Sequence, residues 1–276
     1  MVAVAENTIY ALMNPAEPNI LVASQTKVVA VVSQKGGVGK TTTAINLGAA
    51  LAETGRPVIL IDLDPQANTT SGLGFDVRRQ RLNVYHLLTG EAVIDDVAVP
   101  TSVPNLYLVP SDLSLAGAEI ELATATEREF RLRQALSELG GGYGHVLIDC
   151  PPSLGLLTIN ALAAAQEVLI PVQSEYYALE GLGHLLYTME LIRQGVNPGL
   201  TLSGILVTQF DARNTLSWDV LAEVRRSYPE KLYKTIIPRN VRISEAPSHG
   251  RPVTEYDPTC RGAIAYRELA REVLAR

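Results

Sequence analysis

Residues 35–42 read Lys35-Gly-Gly-Val-Gly-Lys-Thr-Thr42. They follow an apolar run of strand length, Val28 to Ser33, and precede a stretch with helical spacing, Thr41 to Glu53. Strand, glycine-rich turn and helix in that order make a phosphate-binding loop, with Gly39, Lys40 and Thr41 supplying its usual ending. Gly36, Gly37 and Gly39 let the backbone turn its N–H groups inward and approach an anion closely. The helix that begins near Lys40 adds its positive end. Lys40 is expected to reach the β- and γ-phosphates of a nucleotide, and the Thr41 hydroxyl to ligate Mg²⁺. Lys35 is a second cation at the mouth of the same loop, where an ordinary phosphate site has no need of one.

Outward from this loop, strands and helices alternate to the end of the chain. Pro57 to Leu63, Leu106 to Val109, His145 to Ile148, Glu167 to Val172, Leu202 to Val207 and Lys231 to Ile237 read as further strands. Glu127 to Leu139, Leu179 to Arg193, Leu216 to Ser227 and Gly262 to Ala275 read as helices. Apolar strands between helices imply a single α/β domain over residues 27–276. Its sheet is mostly parallel and twisted, with helices on both faces. Ligands of such sheets bind at the carboxyl ends of the strands. Asp76 to Pro104 is the least patterned stretch and reads as a surface excursion.

Three carboxylates fall at predicted strand ends. Asp149 closes His145-Val-Leu-Ile-Asp149 and is placed to bind a magnesium ion through water. Asp62 and Asp64, in Ile61-Asp-Leu-Asp-Pro-Gln66, share one face of an extended chain. Asp64 is expected to orient an attacking water and Asp62 to contribute to the magnesium shell; positioning suits a solvated carboxylate better than strong basicity.

The 276 residues carry a formal charge of −6, unevenly distributed. Residues 1–200 hold 11 Lys and Arg against 20 Asp and Glu, and residues 201–276 hold 12 against 9. A basic face suited to nucleic acid is therefore compatible with an acidic chain. Cys150 and Cys260 make no pair of metal-binding or redox spacing, which fits a reducing cytoplasm. No uninterrupted apolar stretch is long enough for a membrane span. Residues 1–26 read as an N-terminal extension, mobile by composition. Met1 to Gln25 contain no Lys or Arg and so do not form a secretory signal.

Together, Lys35-Gly-Gly-Val-Gly-Lys-Thr-Thr, Ile61-Asp-Leu-Asp-Pro-Gln and Ile148-Asp-Cys-Pro-Pro-Ser-Leu resemble the deviant Walker-A ATPases, and within them the ParA/Soj partitioning branch. Leu115-Ala-Gly-Ala-Glu-Ile-Glu-Leu, Glu175-Tyr-Tyr-Ala-Leu-Glu-Gly-Leu and the stretch from Pro238 to Gly250 extend the resemblance from about Lys27 to the C-terminus.

The resemblance implies an ATP hydrolase that binds ATP or ADP with Mg²⁺ through residues 35–42, that is Lys35, Gly36, Gly37, Val38, Gly39, Lys40, Thr41 and Thr42. It implies an ATP-sandwiched homodimer in which Lys35 reaches the phosphates of the other subunit, as an arginine finger does. Asp64 matches the hydrolytic aspartate and Asp149 the Walker-B aspartate. Gln209, Asp211, Pro238, Arg239 and Asn240 fall near the adenine. Arg213 and Arg242 match arginines that bind double-stranded DNA without sequence preference, a salt-dependent contact. The implied partner is a ParB-like centromere-binding protein, and the implied location is the cytoplasm, on the nucleoid. Chromosome or plasmid segregation is the function this points to. Cys150 departs from the threonine many relatives carry and reads as a small packed side chain.

Other readings of the residues differ in cargo or surface. The same switch could position a protein assembly on the nucleoid. A MinD-like membrane cycle would need an amphipathic C-terminal helix with a basic face. The last helix instead balances Arg267 and Arg271 with Glu268 and Glu272, and its stripe of Tyr266, Leu269 and Val273 suits packing on the sheet. An electron-transfer iron protein would need two suitably placed cysteines.

Overall fold

The computed structural model describes residues 26–276 apart from Gln80, Tyr176 and Tyr177, so the expected mobile extension lies almost wholly outside the described residues. Seven strands form one sheet: β1 (Lys27–Val31), β2 (Val58–Asp62), β3 (Val99–Pro100), β4 (Leu106–Val109), β5 (His145–Asp149), β6 (Glu167–Gln173) and β7 (Thr201–Thr208). Their spatial order is β3-β4-β2-β5-β1-β6-β7. Every pairing is parallel except that of β3 with β4. The chain leaves β1 toward β2 on one side and returns to β6 and β7 on the other, so the reversal of direction lies beside β1, where such sheets bind ligands.

Alternation along the strands divides the core into two layers. Ala30, Ile59, Ile61, Val146, Ile148, Ile170 and Val207 face one side. Val29, Val31, Leu60, Leu147, Leu169 and Leu206 face the other. The second layer is closed by α1 (Lys40–Ala52) and, later in the chain, by the C-terminal helix Arg261–Ala275. The first layer is closed by α3 (Val84–Thr89), α4 (Ile94–Val97), α5 (Leu115–Leu122), α6 (Arg131–Ser137), α7 (Leu156–Ala164), α8 (Ala178–Gly195) and α9 (Thr215–Ser227), all of which place buried residues there. The short α2 (Asn68–Gly72) instead packs beside β2 and α1, and α10 (Val241–Glu245) and α11 (Val253–Tyr256) pack against the C-terminal helix, α12 (Arg261–Ala275).

The amphipathic stripe of α12 is internal: Tyr266, Leu269 and Val273 are buried, chiefly against α1, and Arg267 makes a two-pronged ion pair with Glu53 at 2.7 and 2.9 Å. Among the described residues no helix is long and apolar enough to cross a membrane.

Three sequence expectations change. The last strand, Lys231 to Ile237, is not continuous. It meets β7 at the bridge Ile205–Leu232 and meets the following loop at Phe210–Pro238. Between them the N–H groups of Lys234 and Thr235 donate to the Glu272 carboxylate, at 2.8 and 3.0 Å, and are lost to the sheet ladder. Asp76 to Pro104 is not a mere surface excursion: it contributes α3, α4 and the antiparallel edge strand β3, and buries Val84, Leu88, Ile94 and Val97. The helix expected from Glu127 to Leu139 begins as a 3-10 turn, Arg128–Phe130, and becomes α-helical only over α6.

Candidate functional site

Residues between β1 and α1 form the loop that the sequence marks. Gly37 and Gly39 have φ of 76° and 86°, a left-handed conformation that side chains disfavour. A Cβ on Gly36 or Gly37 would meet nothing within 4 Å, so the loop opens onto free space. Gly39 caps α1 without a side-chain hydrogen bond, and the first turn of α1 has no acidic residue. The first N–H groups of α1 are left facing the opening, as an anion requires.

A cavity of about 560 Å³ lies over this loop, with Lys40, Thr41, Asp64, Gln209 and Arg251 in its wall. Lys40 is buried and its Nζ donates to the Lys35 carbonyl at 3.2 Å. Burial lowers the Lys40 pKa, while Asp149, Cys150 and Asp64 pull it back up.

The acids stand at adjacent strand ends. Asp62 of β2 and Asp149 of β5 are register partners, and neither is exposed to solvent. Asp149 Oδ2 accepts from Thr69 Oγ1 at 2.7 Å, while its Oδ1 is buried without a hydrogen-bond partner. Burial raises the Asp149 pKa to about 6, against the Thr69 and Thr41 hydroxyls and Lys40, which lower it. Asp62 Oδ2 accepts from the backbone N–H and hydroxyl of Thr70, at 2.8 and 2.7 Å, and its Oδ1 accepts from the Asp64 N–H at 3.3 Å. Burial, then Asp149, pushes Asp62 up to about 7. Asp62 thus spends its oxygens on fixing α2 and the Asp64 backbone. Asp64 Oδ1 accepts only from the Gln66 N–H, at 2.9 Å, and its side chain borders the cavity.

An orphaned carboxylate oxygen beside a threonine hydroxyl and a phosphate cradle fits a hard divalent cation, which prefers oxygen ligands and keeps several waters. Among the described residues no group of three His, Cys, Asp or Glu could hold a metal unaided. Such an ion would complete its shell with phosphate and water.

Comparison with known proteins agrees with this geometry. A family model described as an AAA domain matches residues 26–202. The chain is 53% identical over 249 residues to the sporulation initiation inhibitor protein Soj of Bacillus subtilis, covering 90% of this chain and 98% of that one. It is 51% identical over 256 residues to the chromosome partitioning protein ParA of Caulobacter vibrioides, covering 92% and 96%. The chain belongs to the ParA/Soj family of partitioning ATPases. A solved structure described as cobyrinic acid a,c-diamide synthase from Mycobacterium smegmatis, with bound ATP analog and magnesium, is 42% identical with a TM-score of 0.80, covering 90% of this chain and 94% of that one. Its description names a different activity on the same fold.

The remaining residues that the ParA/Soj resemblance singles out fall into two groups. Phe210 N–H donates to the Ile237 carbonyl and Arg239 N–H to the Phe210 carbonyl, so the loops carrying Gln209 to Arg213 and Pro238 to Arg242 lie side by side. Gln209 reaches the cavity and donates to the Gly37 carbonyl at 2.6 Å. The Asp211 carboxylate is instead held by Arg213 at 2.7 and 2.9 Å, which depresses its pKa to about 2. The Asn240 side chain caps α10 by accepting from the Arg242 N–H. Pro238 and Arg239 do not border the cavity described above.

The Arg213 side chain is 87% exposed. Arg242 is half-exposed and ion-paired with Glu245 at 2.8 Å and Asp257 at 3.3 Å. Both guanidinium groups are accessible to a phosphate backbone. Cys150 is buried, with its thiol pKa pushed well up by burial, as a packed side chain should be.

Lys35 does not point to the cavity in this single chain. Its Nζ lies 2.5 Å from Glu175 Oε2. Sequence reasoning missed that partner, and it missed Thr69, Thr70 and Arg251. The polar run Asn68-Thr-Thr-Ser71, three residues after Pro65, was the available signal for the two threonines.

Proposed function

We propose that this chain is a slow, magnesium-dependent ATP hydrolase that partitions DNA. In this reading the ATP-bound homodimer holds double-stranded DNA without sequence preference. Hydrolysis, stimulated by a ParB-like centromere-binding protein, releases it on the nucleoid. The observation that carries the reading is the meeting of an open phosphate cradle with two buried strand-end carboxylates, one of them with an unpartnered oxygen.

In this reading the loop N–H groups and Lys40 bind the phosphates, and Gln209 and Arg251 border the rest of the nucleotide. Thr41 and Asp149 would hold magnesium, which supplies charge neutralisation on the β- and γ-phosphates. Asp62 keeps Asp64 in place through the Asp64 N–H, and Asp64 orients the attacking water. Lys35 leaves Glu175 and crosses to the nucleotide of the second subunit, which makes the dimer depend on the γ-phosphate. Arg213 and Arg242 supply DNA contact. Family membership supports hydrolysis and segregation together.

The test is phosphate release by the purified full chain with Mg²⁺, alone, with DNA, and with DNA plus a ParB-like centromere-binding protein. Slow turnover that rises several-fold only with both additions is expected. Turnover indifferent to DNA and to the adaptor would refute the partitioning role.

A further inference from the structure

A closed polar ring joins Lys35 to the nucleotide cavity. Lys35 Nζ donates to Glu175 Oε2 at 2.5 Å, and Gln173 Nε2 donates to Glu175 Oε1 at 2.8 Å. The same Gln173 amide donates to Gln209 Oε1 at 3.2 Å, and Gln209 Nε2 donates to the Gly37 carbonyl at 2.6 Å. Gly37 returns the ring to the loop that Lys35 opens. Gln173 ends β6 and Gln209 follows the last residue of β7, and the two strands are paired Gln173 to Thr208, so the sheet brings both amides to one place.

Two features make Gln173 the joint. It has one side-chain NH₂ with two hydrogens, and the ring uses both. Its two acceptors belong to different systems: Glu175 holds Lys35, whereas Gln209 borders the cavity. Gln209 also sits at φ 51°, a left-handed conformation uncommon for a residue with a side chain. Such a conformation persists where surrounding contacts hold it. A nucleotide entering over Gly37 competes for the Gln209 amide. Once that amide turns, Gln173 loses the acceptor that orients its own amide, and its other N–H is no longer fixed toward Glu175.

We propose that Gln173 is a positioning residue that couples nucleotide occupancy to release of Lys35 from Glu175. The inference rests on the nucleotide reading of the cavity and assigns a regulator to it. Lys35 is held within its own subunit while the cavity is empty, and nucleotide binding frees it before any second subunit arrives. An exposed hydrogen bond of ordinary strength corresponds to about fivefold in such an equilibrium.

The test is the rate at which Lys35 is acetylated by acetic anhydride in the full chain, read by peptide mass spectrometry. Lys234 serves as the internal reference, and fluorescent-ADP titration reports occupancy. ADP is the probe, so dimerisation on ATP does not enter. In the wild type, saturating ADP is expected to raise the Lys35 rate about threefold to fivefold relative to Lys234. Gln173→Leu should show the raised rate without ADP and no further response to it. Glu175→Gln should do the same through the other end of the contact. A Lys35 rate unmoved by bound ADP, or a Gln173→Leu rate equal to the wild type, overturns the coupling and leaves the nucleotide site intact. Failure of ADP to bind the wild type overturns both.

Discussion

Asp62 and Asp149 face one another in register at the ends of β2 and β5, both fully buried, and only Asp149 has a free oxygen. Burial, and after it the Asp149 charge, raises the Asp62 pKa, as a like charge in a buried site does. The arrangement assigns different work to the pair: Asp62 is consumed by Thr70 and the Asp64 N–H, and Asp149 remains available. Asp149→Asn should therefore keep the fold while weakening Mg²⁺ affinity in the nucleotide complex by about 10–100-fold. A magnesium titration of ATP turnover checks this; an unchanged magnesium midpoint would move the ion elsewhere.

Among the described residues the Asp64 carboxylate accepts one hydrogen bond, from the Gln66 N–H, and otherwise borders the cavity. Asp64→Ala should leave nucleotide binding within about twofold of the wild type. Turnover should fall about 100-fold, the scale of a lost water-positioning group. The ATP-bound variant should then stay on DNA in a gel shift without adaptor. Rapid turnover in the variant would remove Asp64 from the chemistry.

Arg242 is ion-paired on its own surface with Glu245 and Asp257, so its reversal also leaves two acids facing DNA. Arg242→Glu should cost at least about tenfold in DNA affinity at moderate salt. The slope of log affinity against log salt should become shallower by about 1 per subunit. Nucleotide binding should not change. Retained affinity with an unchanged slope would place the DNA face elsewhere.

His145 opens β5 and is buried, and burial, then Lys27 and Arg56, holds its pKa down at about 4 against an ordinary value of 6.5. The folded protein keeps this ring neutral, whereas the unfolded chain protonates it below about pH 6.5. Its contribution to stability is complete above the unfolded value and is lost as pH falls toward 4. His145→Gln should abolish that component, about 1 kcal/mol between about pH 7.5 and 5.5. Comparing denaturant curves of variant and wild type cancels the opposite trend of the buried acids. Parallel pH profiles would contradict the assignment.

Close packing at the cavity rim adds a constraint that no motif carries. A Cβ on Gly250 would lie 2.6 Å from the Gly74 Cα, and both residues have positive φ. This contact seats the loop bearing Pro247 and Arg251 against the end of α2.

Much of the fold was legible because long apolar runs and helical spacing dominate it. The phosphate loop was legible because its residues are contiguous, and Asp64 and Asp149 because each ends such a run. Lys231 to Ile237 misled because Glu272, far downstream, captures two of its N–H groups. The helices α3 and α4, of six and four residues, are too short to show a period. Glu175 was invisible as the partner of Lys35, and Gln173 as the link from Glu175 to Gln209, because only the pairing of β1 with β6, and of β6 with β7, brings them together.

In the proposed function Lys35 makes assembly depend on ATP. The direct measurement is sedimentation of Asp64→Ala and of Asp64→Ala/Lys35→Ala, each with Mg²⁺ and either ATP or ADP, so that hydrolysis does not intervene. Asp64→Ala should be a dimer with ATP and a monomer with ADP. The double variant should bind ATP yet remain a monomer. A double variant that still dimerises on ATP would contradict the role given to Lys35.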